Sequence, residues 1–151
     1  MQSFRVKQAT IDDIHHVAEL FNEYRVFYSQ SSDLDGAKRY LFERFEHRDS
    51  VIFAASHQDS QHMAGFAQLY PTFSSISMQR SWILNDLYVN ERFRQLGVAQ
   101  LLLDSIKSYA IQTKAKGIEL STAFDNFSAQ RLYERNDFKK VEQYINYFLE
   151  F

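Results

Sequence analysis

The sequence predicts an α/β fold: one domain over residues 1–151, built on a mixed central sheet of about six to seven strands flanked by about four helices. Three observations lead there. The chain has 151 residues, four glycines, one proline and no low-complexity tract, so nothing marks a linker or a second domain. Apolar residues recur at helical spacing in two long stretches and as short strand-like runs between them. In the second half these alternate as strand, helix, strand, helix, strand, an order that needs helices on the faces of a mixed sheet.

Taken in order, Phe4 and Val6 alternate with polar neighbours and predict a short first strand. Thr10-Ile11-Asp12-Asp13 has the Thr-x-x-acid form of a helix start, and Ile14, Val17, Ala18 and Phe21 then share one face. A second helix is expected after Asp33 or Asp35, with Ala37, Leu41 and Phe45 inward. The runs Val51–Ala55 and Met63–Tyr70, separated by the polar His57-Gln58-Asp59-Ser60-Gln61, predict an antiparallel hairpin. Ser81–Val89 reads as a long strand buried on both faces and central in the sheet, because its apolar residues do not alternate. Gly97 opens a strong helix with Val98, Leu101, Leu102, Ser105, Ile106, Tyr109 and Ala110 on one stripe; Lys114, Lys116 and Gly117 mark its end. Ile118–Ser121 is expected as a strand, Asn126–Arg135 as a short helix and Val141–Leu149 as a closing strand.

Composition closes several classes of function. With no cysteine there is no disulfide scaffold, no thiolate zinc site and no cysteine nucleophile. Seventeen basic against nineteen acidic residues give a net charge of -2, without the global basic field of a generic nucleic-acid binder. The N-terminal Met1-Gln2-Ser3-Phe4-Arg5-Val6-Lys7 lacks an apolar leader core, and no stretch approaches the ~18 apolar residues of a membrane span, so a soluble cytoplasmic protein is expected, with no membrane and no nucleic-acid partner. The five histidines show no metal-ligand spacing, and no metal is expected. Aromatic residues reach 16%, so much of the core must be aromatic.

The stretch Asn90-Glu91-Arg92-Phe93-Arg94-Gln95-Leu96-Gly97-Val98-Ala99 carries the chemistry, because it lies between a buried strand and a strong helix. Unpaired N–H groups and the positive dipole end of a helix N-terminus suit an anion such as a pyrophosphate. It is neither a phosphate loop of the Gly-Lys-Ser/Thr type nor a Gly-x-Gly-x-x-Gly fingerprint. Arg94-Gln95-Leu96-Gly97-Val98-Ala99 resembles the Arg/Gln-x-x-Gly-x-Gly/Ala signature of the GNAT superfamily, the acyl-CoA-dependent N-acyltransferases. The context agrees: the signature follows a strand ending in Leu87-Tyr88-Val89, and Asn126-Phe127-Ser128-Ala129-Gln130-Arg131-Leu132-Tyr133 matches the family's later Asn-x-x-Ala-x-x-Leu-Tyr at the family spacing.

What the resemblance implies can be assigned by residue. The amides of Gln95, Leu96, Gly97, Val98 and Ala99, with Arg94, would cradle the pyrophosphate of acetyl-CoA. Leu87, Tyr88 and Val89 would line its pantetheine arm in a sheet splayed at the cofactor site, Leu87 and Val89 through main-chain groups, with a bulge in residues 81–89 opening the splay. Asn126, Ala129 and Arg135 would complete the cofactor site, Ala129 by letting its helix come close. Tyr133 would be the general acid, since a phenol of pKa ~10 stays protonated at pH 7 and can give a proton to a departing thiolate. Asp86 is the nearest carboxylate for the base, beside Asn85 where some polyamine-acetylating relatives carry an acid. Asp137 stands where the family more often has Gly and is expected in a left-handed turn.

The resemblance implies direct acetyl transfer to a primary amine, of a small molecule such as a polyamine or an amino acid derivative. A protein or peptide acceptor, or a non-catalytic CoA-binding sensor, are the alternatives. Tyr24, Phe27 and Tyr28 with Tyr70, Pro71 and Phe73 are candidates for the acceptor mouth, although aromatics at such spacing are often core. The aromatic run Tyr144–Phe151 suggests a homodimer through the last strand or its flanking face.

Overall fold

A computed structural model describes residues 3–60 and 62–151. Met1 and Gln2, part of the N-terminus read for a leader, and Gln61 of the predicted hairpin turn lie outside the described residues. The elements are β1 (Phe4–Gln8), α1 (Ile14–Phe27), α2 (Leu34–Glu46), β2 (Val51–His57), β3 (Met63–Ser74), β4 (Gln79–Val89), α3 (Val98–Gln112), β5 (Ile118–Glu119) and α4 (Phe127–Arg135), with 3₁₀ turns at Ile11–Asp13 and Glu91–Phe93. The chain through Leu120 forms one compact unit and Ser121–Phe151 a second.

Local chemistry accounts for the helix starts. The Asp13 carboxylate accepts from the Thr10 N–H at 2.8 Å and its hydroxyl at 3.3 Å, closing the turn that leads into α1. Lys7 Nζ lies 3.0 Å from the same carboxylate. Burial works against the ionised Asp13, but the Thr10 amide and the Lys7 ammonium outweigh it and hold the carboxyl below its usual range. Asp33 caps α2 by accepting from the Gly36 N–H at 2.9 Å.

The sheet of the first unit runs β1-β2-β3-β4-β5, antiparallel except for the parallel pair β4 and β5. The predicted hairpin is β2 and β3, which pair from Val51 opposite Leu69 to Ser56 opposite Met63. On one face Ile14, Val17, Ala18 and Phe21 of α1 pack with Leu41 of α2 against Ile52, Ala54 and Phe66. Each of the larger of these side chains contributes about 1.5–3 kcal/mol by leaving water. The α3 stripe buries Val98, Leu102, Leu103, Ile106 and Ala110. Leu103 takes the place expected for Leu101, which is 38% exposed at the margin of the stripe.

Five strands form, fewer than the six to seven expected among these residues. β5 stops at Glu119, because its pairing with β4 ends after Trp82 opposite Ile118 and Ile83 opposite Glu119. Val141–Leu149, expected as the closing strand, has no ladder among the described residues. Its aromatic, β-branched composition suits a strand, but a strand exists only where another edge accepts its hydrogen bonds. In the second unit Asn126 caps α4, and Asp137 takes the expected left-handed conformation at φ 68°.

Candidate active site

Two features of the first unit define the site, and both depend on β4. Opposite β3, Gln68 pairs with Asp86 but Leu69 pairs with Leu84, so Asn85 is an extra residue and β4 bulges there. Beyond Ile83 the outer edge of β4 has no strand partner among the described residues, because β5 ends at Glu119. Asn90 N–H donates to Ala64 O of β3 at 2.7 Å, so by alternation the main-chain groups of Leu87 and Val89 face away from β3, along that open edge.

After β4 the chain turns into α3 through two left-handed residues, Gln95 at φ 62° and Gly97 at φ 82°. The first bond of α3 runs from Leu101 N–H to Gly97 O at 3.1 Å. Among the described residues, the N–H groups of Gln95, Leu96, Gly97, Val98 and Ala99 meet no acceptor in the protein. A Cβ built on Gly97 would touch nothing within 4 Å, so the amides border open space. Unpaired donors, the positive end of a helix dipole and open space beside Gly97 could hold a diphosphate. Gly65 brings the supporting layers together, since a Cβ there would lie 2.7 Å from Tyr88 O and 3.3 Å from a Val98 methyl.

Arg94, expected beside the phosphates, is engaged nearer home. Its Nε donates to Val89 O at 3.0 Å, and its guanidinium carbon lies 5.1 Å from the Phe27 ring and 5.7 Å from the Tyr88 ring. It ties the loop to β4 and α1 and donates to Val89 O, one of the two main-chain positions expected to face the pantetheine arm. Asn90 adds a second brace, donating to Glu23 Oε2 at 2.8 Å while its own oxygen accepts from Arg92 N–H at 2.9 Å.

The bulge places Asp86 among tyrosines. Asp86 is 5% exposed; Gln68 Nε2 donates to its Oδ2 at 2.8 Å, and Asn85 Nδ2 lies 3.2 and 3.3 Å from its two oxygens. Burial raises the Asp86 pKa, and the hydrogen bonds from Gln68, Asn85 and Tyr24 oppose that only in part. Tyr24 also packs edge-on against Phe66, Tyr88 and Tyr28. Tyr70 shares a 2.6 Å hydrogen bond with Tyr40, and burial, that bond and the Asp86 charge all push its hydroxyl far above its ordinary pKa. Tyr88 is raised by burial and by Glu23, which accepts from its hydroxyl at 3.5 Å.

Of the aromatics proposed for an acceptor mouth, Tyr24 and Tyr70 join this cluster, whereas Phe27, Tyr28 and Phe73 are 59%, 51% and 70% exposed. Sequence reading passed over Gln68, Tyr40 and Glu23. Gln68 had a signal: it is the polar residue inside the apolar run Ala64–Tyr70, and it is completely buried with its Oε1 unpaired among the described residues.

In the second unit, Asn126 accepts from Ala129 N–H at 3.2 Å, so its oxygen serves first as a helix cap. Tyr133 is half-buried and packs edge-on against Phe138 at 5.7 Å between ring centres. Arg135 is exposed in the last turn of α4. Among the described residues no group of three or more His, Cys, Asp or Glu side chains is placed to hold a metal ion, and no helix is long and apolar enough to cross a membrane.

Comparison with known proteins agrees with this geometry. The model of the Acetyltransferase (GNAT) family matches residues 15–138. An uncharacterized N-acetyltransferase of Bacillus subtilis, YhfO, is 44% identical over 144 residues, covering 95% of each chain. A probable acetyltransferase of Haemophilus influenzae is 27% identical over 85% of each. The crystal structure of a probable acetyltransferase superposes with a TM-score of 0.93 at 39% identity, covering 97% of both chains. The fold also matches aminoglycoside N-acetyltransferase AAC(6')-Iy in complex with CoA, with a TM-score of 0.80 at 18% identity over 99% of this chain and 96% of that one. Signature loop, bulged β4 and relatives converge: this chain belongs to the GNAT family and is an N-acetyltransferase, with the acetyl-CoA dependence general to that family.

Proposed function

We propose that the chain, acting as one domain, moves the acetyl group of acetyl-CoA directly to a primary amine of a small molecule, a polyamine or an amino acid derivative. The observation that carries this reading is the buried Asp86 carboxylate, ringed by Gln68, Asn85 and Tyr24. A carboxylate kept from water both attracts an ammonium and, with its pKa raised, accepts a proton readily.

The amides of Gln95 to Ala99 would hold the diphosphate of acetyl-CoA, and Leu87, Tyr88 and Val89 would line its pantetheine arm, with Val89 O already accepting from Arg94. Bound acetyl-CoA supplies the thioester acetyl group. Asp86 Oδ takes the proton from the incoming ammonium so that nitrogen attacks as a free base. As the new C–N bond forms and the C–S bond breaks, Tyr133 Oη, a phenol that stays protonated at neutral pH, gives its proton to the departing sulfur, and the proton lost by the acylated nitrogen returns the phenolate to its acid form. Asn126, Ala129 and Arg135 of the α4 segment support the cofactor side. No covalent enzyme intermediate is involved, in keeping with a chain that has no cysteine.

The test is release of free CoA thiol from acetyl-CoA with a panel of polyamines and amino acid derivatives set against lysine-containing and N-terminal peptides. Turnover with free amines is expected. Turnover with peptides alone would move the acceptor to proteins, and tight acetyl-CoA binding without turnover on any amine would make the chain a sensor.

A further inference from the structure

Gln68 is the wrong residue for its surroundings. Residues 64–69 of β3 are all buried, and Gln68 puts a fully buried amide among them. An amide kept from water is costly unless both of its ends are bonded. Only one end is: Nε2 donates to Asp86 Oδ2 at 2.8 Å, while Oε1 meets no donor among the described residues. A side chain needed only to fill the strand would be apolar, so the amide answers to Asp86.

The register explains their meeting. Gln68 stands opposite Asp86, and the next pair is Leu69 with Leu84, so the two side chains share a face where the bulge begins. Asn85 Nδ2 lies farther from the carboxylate, at 3.2 and 3.3 Å, and Tyr24 adds a hydrogen bond from α1. Among the described residues Asp86 is in no ion pair. The titratable and charged groups of the same cluster are Glu23 and Tyr24 of α1, Tyr40 and Arg44 of α2, Tyr70 of β3 and Tyr88 of β4. The two ions among them are engaged elsewhere: Glu23 accepts from Asn90 at 2.8 Å, and Arg44 lies 5.0 Å over the Tyr40 ring beside Glu43 and Asp49.

A neutral amide in that position differs from a cation. Lys or Arg would bond the carboxylate alone and hold it ionised. An amide also carries an acceptor, and a half-turn presents Oε1 to the O–H of a protonated Asp86. The proton can then come and go with neither state left unpaired.

We propose that Gln68 is a positioning residue for proton transfer at Asp86: its amide holds the carboxylate through Nε2, turns over when Asp86 takes a proton from the acceptor, and bonds the resulting acid through Oε1. The inference rests on the reading of Asp86 as the base. An N–H bond of the ammonium breaks and an O–H bond forms at Asp86, which later gives that proton to water; Gln68 neither gains nor loses one.

Carbon NMR of the full chain labelled at aspartate Cγ reads Asp86 directly, as the signal missing from Asp86→Asn. Gln68→Met fills similar space with neither donor nor acceptor. It removes a charge-assisted bond from the carboxylate and only a neutral one from the acid, so the Asp86 midpoint should rise by about one pH unit. The acid limb of kcat/KM should move with it, leaving activity about tenfold lower at a given pH there. In the wild type, with no substitution at all, the Gln68 side-chain amide protons should shift with pH at the Asp86 midpoint. A midpoint unchanged in Gln68→Met, or amide protons indifferent to the titration, would overturn the proposal and leave Asp86 as the base. A midpoint that rises while the kinetic bend stays in place would instead overturn the reading of Asp86 as the base, and the part of Gln68 in the transfer with it.

Discussion

Replacing Asp86 with Asn separates catalysis from stability at one buried position. The side chain keeps its shape but loses its charge and its capacity to take a proton. The partners tolerate the exchange: Gln68 Oε1 is unpaired among the described residues, so a half-turn of the Gln68 amide gives the new Asn amide an acceptor in place of the 2.8 Å bond lost. A general base contributes typically 10²–10⁴-fold, about 3–5 kcal/mol of barrier, and turnover should fall by that factor. The pH dependence carries a second signature. Burial raises the folded pKa of Asp86 above its unfolded value, so its contribution to stability is complete below the unfolded pKa and is lost as pH rises through the folded one. The variant has no such loss, so its melting temperature should match the wild type in acid and exceed it above the raised pKa. Wild-type log kcat/KM should bend at that same pKa, and the bend should vanish in the variant. A thiol reagent reports released CoA cleanly, since the chain has no cysteine of its own. Turnover within about threefold of wild type, or a bend that survives the substitution, would refute the role of Asp86.

Three further outcomes follow from the same geometry. Gly97→Glu sets a carboxylate and a strained left-handed residue among the unpaired amides, so calorimetry should show acetyl-CoA affinity reduced more than tenfold; Gly97→Ala, which adds only about 1–2 kcal/mol of backbone strain, should bind more tightly than the Glu variant. Tyr133→Phe should lower turnover by about 10²-fold while leaving the acetyl-CoA dissociation constant unchanged, and undiminished turnover would remove its role as acid. Asp13→Ala should cost about 1 kcal/mol near neutral pH by denaturant titration. Because the Asp13 carboxyl is depressed, that stability is present above the unfolded pKa and disappears as pH falls through the folded one, where variant and wild type should converge.

Most of the first unit was legible because its signals are local. Thr10 with Asp13, Asp33 before Leu34 and Gly97 before Val98 are caps and turns whose chemistry is written within four residues, and the elements begin within a residue or a turn of those places. The left-handed Asp137 was legible for the same reason. Strand pairing is not local. The run 141–149 has the composition of a strand, but no property of those residues says where an edge waits for them. Arg94 shows the same limit within the site: its charge was legible, whereas its bond to Val89 O and its approach to Phe27 depend on how distant elements pack. Gln68 was readable only as an exception, one polar residue in an apolar strand.

The single extra residue in β4 links fold to chemistry. Trp82 and Asp86 are four positions apart, and in a regular strand they would share a face. Trp82 lies on the α3 side, its indole N–H donating to Thr113 at 3.0 Å and its ring 5.4 Å from Tyr109. Asp86 lies on the opposite side with Gln68 and Tyr24. Only a break in alternation between them permits both, and the register shift opposite Gln68 and Leu69 supplies it. The break also follows directly on the end of the β4–β5 ladder: the two strands pair through Ile83 opposite Glu119, where β5 stops. One inserted residue thus turns a carboxylate into an aromatic pocket on one side of the sheet, beside the open main-chain edge that leads to the amides of α3. A buried carboxylate and a set of unpaired amides then lie at successive stretches of one strand and its following loop. A short rigid element fixes that spacing better than two loops would, and acyl transfer between a thioester and an amine requires such a fixed distance.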